Sequence, residues 1–160
     1  MRIKMTSVCC TLMLLMSMLL ISAKDVQAAS DDPILDGSYL TYDEESIGYD
    51  TKITRGEDLL TGYSKCVRLG PGRLYAGGTT IAAHTVENVQ ISVIVERAQK
   101  GDDSWSGYDN WHAENSDTDR VGSNRALAVE GGYYYRVRCT HSANSDMSSS
   151  FTDGVYIEEP

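Results

Sequence analysis

Residues 89–96 read Val-Gln-Ile-Ser-Val-Ile-Val-Glu, and this stretch decides the fold class. Four β-branched residues occupy every second position: Val89, Ile91, Val93 and Val95. The polar residues Gln90, Ser92 and Glu96 hold positions of the opposite parity. Successive side chains of a β-strand point to opposite faces, so the four aliphatic groups share one face. The stretch therefore predicts a strand with one buried side, since an α-helix would scatter the same residues around its axis.

Similar short runs, separated by turn residues, lie on both sides of residues 89–96. Gly70-Pro71-Gly72 and Gly131-Gly132 indicate turns. The predicted strands span 63–69, 74–82, 89–95, 105–112, 126–129, 133–140 and 154–158, and the polar residues 114–124 are predicted to form a long loop. Seven short strands are typical of a two-sheet sandwich. Residues 61–160 are therefore predicted to form an all-β domain, a single seven-stranded antiparallel β-sandwich.

The first 60 residues have two different compositions. Arg2 and Lys4 precede an apolar run at 8–23, and small residues follow at Ala28 and Ala29. This order is typical of a signal peptide cleaved near Ala28, so we expect a secreted, extracellular protein. The apolar run is shorter than the roughly 20 residues of a spanning helix, and no permanent membrane anchor is expected. Residues 29–60 are acidic without sustained periodicity, which predicts a loosely ordered segment, either a spacer or a propeptide.

The chain is acidic, with 14 Lys and Arg residues against 23 Asp and Glu residues and a net charge of −9. Loss of residues 1–28 would remove three basic residues and one acidic residue, which brings the net charge to −11. A surface of this sign repels phosphate groups, so nucleic acid is not an expected partner.

Two cysteines, Cys66 and Cys139, follow the predicted cleavage site. An even number of cysteines in an oxidising compartment predicts a disulfide bond, within one chain or between chains. Closing a loop of this length would stabilise the fold by about 4 kcal/mol in the chain-entropy model.

Aromatic and arginine side chains are the candidate ligand platform: Trp105, Tyr108, Trp111, Tyr134, Arg136 and Arg138. Trp105 and Trp111 are six residues apart and share one face of a regular strand. Facing outward they would stack on a sugar ring or a peptide, whereas facing inward they are core, and the need for buried area favours the core. Tyr134, Arg136 and Arg138 alternate along an exposed stripe, which is equally explained as a solvated ladder facing Glu96.

The sequence provides no recognisable catalytic constellation and predicts no cofactor. No serine has the flanking glycines of a nucleophile elbow, and Gly77-Gly78-Thr79 lacks the lysine of a phosphate-binding loop. His112 and Glu114 point the same way on a strand, but a zinc site would need further ligands from His84 or His141.

A calcium loop is the other metal site considered. Asn115, Asp117 and Asp119 imitate the first three ligands of a helix-loop-helix calcium loop. Arg120 stands where that loop requires glycine, so the motif fails and only a looser oxygen cage is left open. The sequence therefore assigns no metal site.

Residues 132–141, Gly-Tyr-Tyr-Tyr-Arg-Val-Arg-Cys-Thr-His, resemble the penultimate strand of fibronectin type III and immunoglobulin-like sandwiches. By this resemblance Tyr133 would be the corner tyrosine, with its hydroxyl bonded to the preceding loop. With Gly78-Thr79-Thr80, Ser104-Trp105 and the run 153–157, the chain is similar, over 55–157, to a family of small secreted proteins of clostridia-type Gram-positive bacteria, a domain of unknown function. The resemblance implies export and a β-sandwich, and it carries no catalytic residues.

These observations favour a non-catalytic extracellular binding module for an envelope glycan or a protein partner. A self-associating structural surface protein and a secreted inhibitor or effector are the alternatives. Sandwich folds host many unrelated activities, so the fold does not choose between them.

Overall fold

The computed structural model describes residues 33–50, 52–54 and 56–160, and these residues form an all-β fold without a helix. The predicted signal peptide at 1–28 and the start of the acidic segment lie outside the described residues. Within the described ranges, no helix has the length and apolar character needed to cross a bilayer. The all-β class predicted from residues 89–96 is confirmed.

The described residues form ten strands. They are β1 (Ile34–Leu35), β2 (Ser38–Thr41), β3 (Glu45–Tyr49), β4 (Lys52–Thr54), β5 (Leu59–Gly70), β6 (Arg73–Ala98), β7 (Ser106–Ala128), β8 (Tyr133–Ala143), β9 (Asp146–Phe151) and β10 (Gly154–Ile157). They are joined in one curled sheet rather than in two separate sheets.

Strand β6 determines the shape because its two halves have different partners. Residues 73–82 pair antiparallel with β5, and residues 89–98 pair antiparallel with β8. β7 follows both halves of β6, with a register shift between Ile81 and Val86. The sheet curls so that β5 approaches β8, and Cys66 Sγ lies 3.3 Å from the carbonyl oxygen of Tyr135. One curled sheet thus encloses the core from two sides.

The remaining pairings make the sheet mixed. β10 pairs antiparallel with β8 but parallel with β2, while β3 pairs with β5 and β4 pairs with β9. A parallel pair and a single continuous sheet differ from the predicted antiparallel seven-stranded sandwich. The physical reason is the length of β6, whose 26 residues serve both sides of the core.

Ordered structure begins earlier than the sequence predicted. β1 to β3 lie between residues 34 and 49, within the segment predicted to be loosely ordered. Ser38 and Leu40 are buried in β2, and backbone pairing with β10 and β5 anchors β2 and β3. The segment lacks an apolar period because its strands are short, so composition alone predicted a loosely ordered segment where residues 34–49 form strands.

Residues 114–124 are also strand rather than loop, since β7 continues without interruption from Ser106 to Ala128. β7 pairs only with β6 among the described strands, so its polar side chains face water while its backbone completes the ladder. Val121 is the buried exception. A polar edge strand has the composition of a loop, which explains the wrong prediction.

The aliphatic residues of β6 form the centre of the core, as predicted. Val89, Ile91, Val93 and Val95 are completely buried. The hydrogen bond to the preceding loop that was predicted for Tyr133 is made by Tyr135, whose hydroxyl donates to the carbonyl oxygen of Glu130 at 2.8 Å. Burial raises the pKa of Tyr135 to about 12.

Both cysteines lie in this core as free thiols, and the predicted disulfide is not formed in the structure. The Cys66 thiol donates to the Tyr135 carbonyl, whereas the Cys139 thiol points at the Gly77 carbonyl 3.8 Å away. Burial raises the pKa of each thiol to about 12, so both are protonated. The two side chains therefore act as small apolar core residues here.

His141 is fully buried on β8 and bonded on both ring nitrogens. Its Nδ1 lies 2.9 Å from Thr80 Oγ1, and its Nε2 lies 2.8 Å from Ser150 Oγ. Because the Thr80 hydroxyl donates to the carbonyl of Gln90, it accepts from Nδ1–H, and Nε2 accepts from Ser150. Burial lowers the pKa of His141 to about 4, so the ring is neutral.

The stability of the fold is expected to fall as the pH is lowered from about 6.5 toward 4. The unfolded chain protonates His141 near its ordinary pKa of 6.5, whereas the folded protein does so only near 4. The unfolded state binds more protons in this interval, so acidification favours unfolding. Urea denaturation at pH 7 and pH 4.5 measures the effect, and His141→Gln, which cannot titrate, should lose less stability on acidification. Equal losses in both proteins would contradict the assignment.

Candidate functional site

The predicted tryptophan pair does not form a joint platform. Trp111 is 9% exposed and belongs to the core, and its indole Nε1 donates to Ser123 Oγ at 3.0 Å. The Arg125 guanidinium lies over its ring, 4.5 Å from the centroid. Trp105 precedes β7 and is half-buried, with Nε1 donating to the carbonyl of Leu35 at 2.8 Å. The core interpretation is confirmed for Trp111.

Arg136 was predicted to be exposed, but it is buried in a network of charged and polar groups. Its Nε lies 2.7 Å from Glu96 Oε2, and its Nη2 lies 3.0 Å from Asp36 Oδ2. Nη1 donates to Ser38 Oγ at 3.0 Å, and the guanidinium lies 4.7 Å from the ring centroid of Trp105. The side chain therefore ties the β1–β2 turn to β6 and β8.

The other members of the predicted platform also contact neighbouring residues of the protein. Tyr134 is buried, and Arg138, which is exposed, donates from Nη2 to Glu96 Oε1 at 2.9 Å. Tyr108 is half-buried and packs edge-on against Tyr135. The alternative of a solvated ladder facing Glu96 is right in its pairing, because the register places Arg136 opposite Glu96, but wrong in its exposure, because both residues are buried. The exposed stripe is wrong because Tyr134 and Arg136 point into a second small cluster beneath β1 and β2.

Two of the three residues considered for calcium, Asn115 and Asp119, are bonded to Arg120. Asn115 Nδ2 donates to the carbonyl of Arg120 at 3.2 Å, and Asp119 Oδ1 lies 3.4 Å from Arg120 Nε. Asp117 takes a left-handed conformation, with φ of 53°, in the middle of β7. Across the residues the structure describes, no three His, Cys, Asp or Glu side chains converge as a metal site would require.

A shallow groove lies on the outer face where β6 meets the first half of β7. Its volume is about 300 Å³, and polar and apolar side chains line it: Ser92, Val93, Ile94, Asn110, Trp111 and His112. Ser92 Oγ lies 3.0 Å from His112 Nδ1, and His112 Nε2 lies 3.8 Å from Glu114 Oε2. The second distance exceeds a hydrogen bond, so the imidazole has only the serine as a close partner here.

A different outer surface concentrates exposed aromatic side chains, on β3, β5, the first half of β6 and the second half of β7. We call it the tyrosine face: Ile47, Tyr49, Tyr63, Lys65, Val67, Tyr75, Thr79, Ile81 and Gly122. These residues alternate with inward residues such as Ser64 and Cys66, which are buried. Tyr49 is 64% exposed and Ile47 is 40% exposed, while Tyr63 and Tyr75 are half-buried.

Strand pairing arranges the tyrosine face in rows. Tyr49 lies opposite Tyr63, which lies opposite Thr79, which in turn lies opposite Gly122. Tyr75 lies opposite Val67, which is four residues beyond Tyr63 on β5. At 3.3 Å per residue, Tyr63 and Val67 are about 13 Å apart along the strand. The face is therefore extended along the strands, with aromatic rings at two places.

The rings of the first row are held by local contacts. The ring centroids of Tyr49 and Tyr63 are 6.1 Å apart, with the planes inclined by 50°. Thr79 Oγ1 donates to the Tyr63 hydroxyl at 3.1 Å. A Cβ on Gly122 would meet only Thr79 Oγ1 at 3.3 Å and the carbonyl of Gly78 at 3.8 Å. A side chain at position 122 would therefore lie against Thr79, on the opposite side of Thr79 from Tyr63.

Two cations of the tyrosine face are paired. Lys65 Nζ lies 2.7 Å from Glu45 Oε2, and this hydrogen bond raises the pKa of Lys65. At the β7 margin, Arg120 pairs with Asp119. Arg73, exposed two residues before Tyr75, adds one positive charge, so the face carries little net charge although the whole chain carries −9.

Sequence reasoning missed the tyrosine face. A signal was present, because Tyr63, Lys65 and Val67 alternate within a predicted strand. Tyr49, the most exposed member, lies in the segment predicted to be loosely ordered. The pairing of β3 with β5 is needed to place its ring beside Tyr63.

Comparison with known proteins gives no match for this chain among protein-family models, curated proteins or solved structures. The function is therefore argued from the contacts, exposure and charges of its own residues.

Proposed function

We propose that this protein is a non-catalytic binding module that acts outside the cell and binds its partner through the tyrosine face. Export is expected from residues 1–28, and the resemblance to small secreted proteins of Gram-positive bacteria agrees with it. The observation that carries the proposal is the row Tyr49–Tyr63 on an outer sheet face.

The composition of the tyrosine face supports a binding role. The outward side of a water-exposed sheet is normally polar, and contiguous apolar patches with polar margins mark interaction sites. Tyrosine offers a large ring with few rotatable bonds and a hydroxyl that bonds at the margin. Tyr49, Tyr63 and Tyr75 provide these groups on three adjacent strands, with aliphatic neighbours at Ile47 and Ile81.

The groove at Ser92 and His112 is a weaker candidate for the binding surface. It offers hydrogen-bonding groups, but the large aromatic ring in its lining, that of Trp111, is almost buried. We therefore use it as a control surface. His112→Ala changes the groove, whereas variants of Tyr49 and Tyr63 change only the tyrosine face.

Removing the rings of Tyr49 and Tyr63 is expected to weaken retention on a cell envelope by about tenfold or more. Each aromatic contact contributes about 0.5–1.5 kcal/mol beyond its buried area, and 1.4 kcal/mol corresponds to a factor of ten. The measurement is cosedimentation of residues 29–160 with an isolated Gram-positive envelope, for the wild type and the double variant Tyr49→Ala/Tyr63→Ala. Tyr39→Ala is the matched control, because Tyr39 is 51% exposed but lies on β2.

Gly122→Arg gives an independent test in which every tyrosine is kept. It places a long side chain next to Thr79, from where the side chain can extend across β6 toward Tyr63, and it should weaken retention similarly. Equal retention of the wild type and both tyrosine-face variants, or selective loss in His112→Ala, would contradict the proposal, as would a wild type that is not retained at all. Thermal denaturation of each variant shows that the fold is intact.

A further inference from the structure

We infer that the ligand of the tyrosine face is an uncharged glycan chain several sugar rings long. This inference rests on the proposed function and adds the chemical class of the ligand. Three features of the face carry it: its amphipathic chemistry, its charge balance and its length.

The chemistry of the face is complementary to that of a sugar. A pyranose ring has an apolar face of C–H groups and a rim of hydroxyl groups. Tyr49, Tyr63 and Tyr75 supply flat apolar rings with hydroxyl groups at their ends. Thr79 and Lys65 add further polar groups to the same face. Apolar stacking with hydrogen bonds at the margin is therefore available within one surface.

The charge balance selects an uncharged ligand. Lys65 is paired with Glu45 and Arg120 with Asp119, which leaves Arg73, exposed two residues before Tyr75 on the same face, as the further cation beside these rings. The net charge of −9 adds a repulsive field for anions. Polymers rich in phosphate or carboxylate are disfavoured by this field. A neutral glycan is not repelled by the negative charge of the protein.

The length of the face selects a chain rather than a single sugar. The row of Tyr49 and Tyr63 is separated from the position of Tyr75 by about 13 Å along the strand direction, which is longer than one pyranose ring. One ligand that stacks at both places must span several sugar units. Two weak contacts on one chain reinforce each other, because the second forms at a high effective concentration.

Affinity gel electrophoresis with soluble polysaccharides tests the inference. The neutral probes are hydroxyethylcellulose, glycol chitin, galactomannan and arabinoxylan, and carboxymethylcellulose is the charged counterpart of the first. At least one neutral polymer should retard the wild type, and carboxymethylcellulose should not. Tyr75→Ala and Gly122→Arg should each raise the dissociation constant about tenfold, while Tyr39→Ala and His112→Ala should leave it unchanged.

The outcomes separate the ligand class from the binding role. If no neutral polymer retards the protein while envelope retention persists and is lost on protease treatment of the envelope, the partner is a protein, and only the glycan inference fails. Equal retardation by carboxymethylcellulose would overturn the selection against charge. A dimer in sedimentation velocity that dissociates on Gly122→Arg would identify a second copy of the chain as the occupant and overturn the inference.

Discussion

Replacing Ile91 with alanine is expected to lower the free energy of unfolding by about 2–5 kcal/mol, whereas Ile94→Ala should cost less than about 1 kcal/mol. Ile91 is completely buried at the centre of the core, and Ile94, three residues along the same strand, is half-buried on the outer face. Removing the same carbon atoms therefore leaves a cavity at one position and only exposed surface at the other. Urea denaturation of both variants measures the difference.

The Ile91 and Ile94 pair is informative because it tests the register of β6. A shift of one residue would exchange the buried and exposed faces along the whole strand. A larger loss of stability in Ile94→Ala than in Ile91→Ala would therefore contradict the arrangement of the core.

Replacing Arg136 with methionine is expected to destabilise the fold by about 3 kcal/mol. The change leaves Glu96 buried with only Arg138 as its partner, and it removes the bonds to Asp36 and Ser38. Breaking a buried ion pair from one side costs more than the pair contributes, because the remaining charge stays out of water. Chemical denaturation measures the loss, and Arg138→Met, at the exposed side of the same carboxylate, should cost about 1 kcal/mol or less.

A second substitution at the partner carboxylate separates charge burial from lost packing. If the uncompensated charge of Glu96 causes the loss, Arg136→Met/Glu96→Met should recover part of the stability lost in Arg136→Met. No recovery in the double variant, or a loss in Arg136→Met no larger than in Arg138→Met, would contradict a buried charge network at this place.

The parts of the fold that depend on local periodicity could be predicted from the sequence. The alternation at Val89, Ile91, Val93 and Val95 predicted both a strand and its buried side, because burial of one face of a sheet imposes a period of two on the strand itself. The cross-strand pairing of Glu96 with Arg136 could be predicted for the same reason, as the alternative interpretation of the arginine stripe.

The parts that depend on pairing between distant strands could not be predicted. β7 appears polar along residues 114–124 because its backbone, rather than its side chains, completes the sheet. β2 and β3 are short, and only their partners β10 and β5 explain why they are ordered. The division of β6 between β5 and β8 leaves little trace in local composition, although it turns the expected sandwich into one curled sheet.

The candidate site shows the same limit. Trp111 and Arg136 were conspicuous in the sequence, but large aromatic and planar cationic groups serve equally well as core and as ligand platforms. The structure uses both internally. Tyr49 and Tyr63 were inconspicuous because they are 14 positions apart and meet only through the β3–β5 ladder.

Hydroxyl-radical footprinting of the protein bound to the envelope tests the central claim most directly, because it reports which surface is covered whatever the ligand is. Oxidation of Tyr49 should fall several-fold on binding, while oxidation of the comparably exposed Tyr39 and Tyr42 stays unchanged. Protection of Tyr39 or Tyr42 with Tyr49 still fully oxidised would show that the protein binds through another surface and would contradict the account.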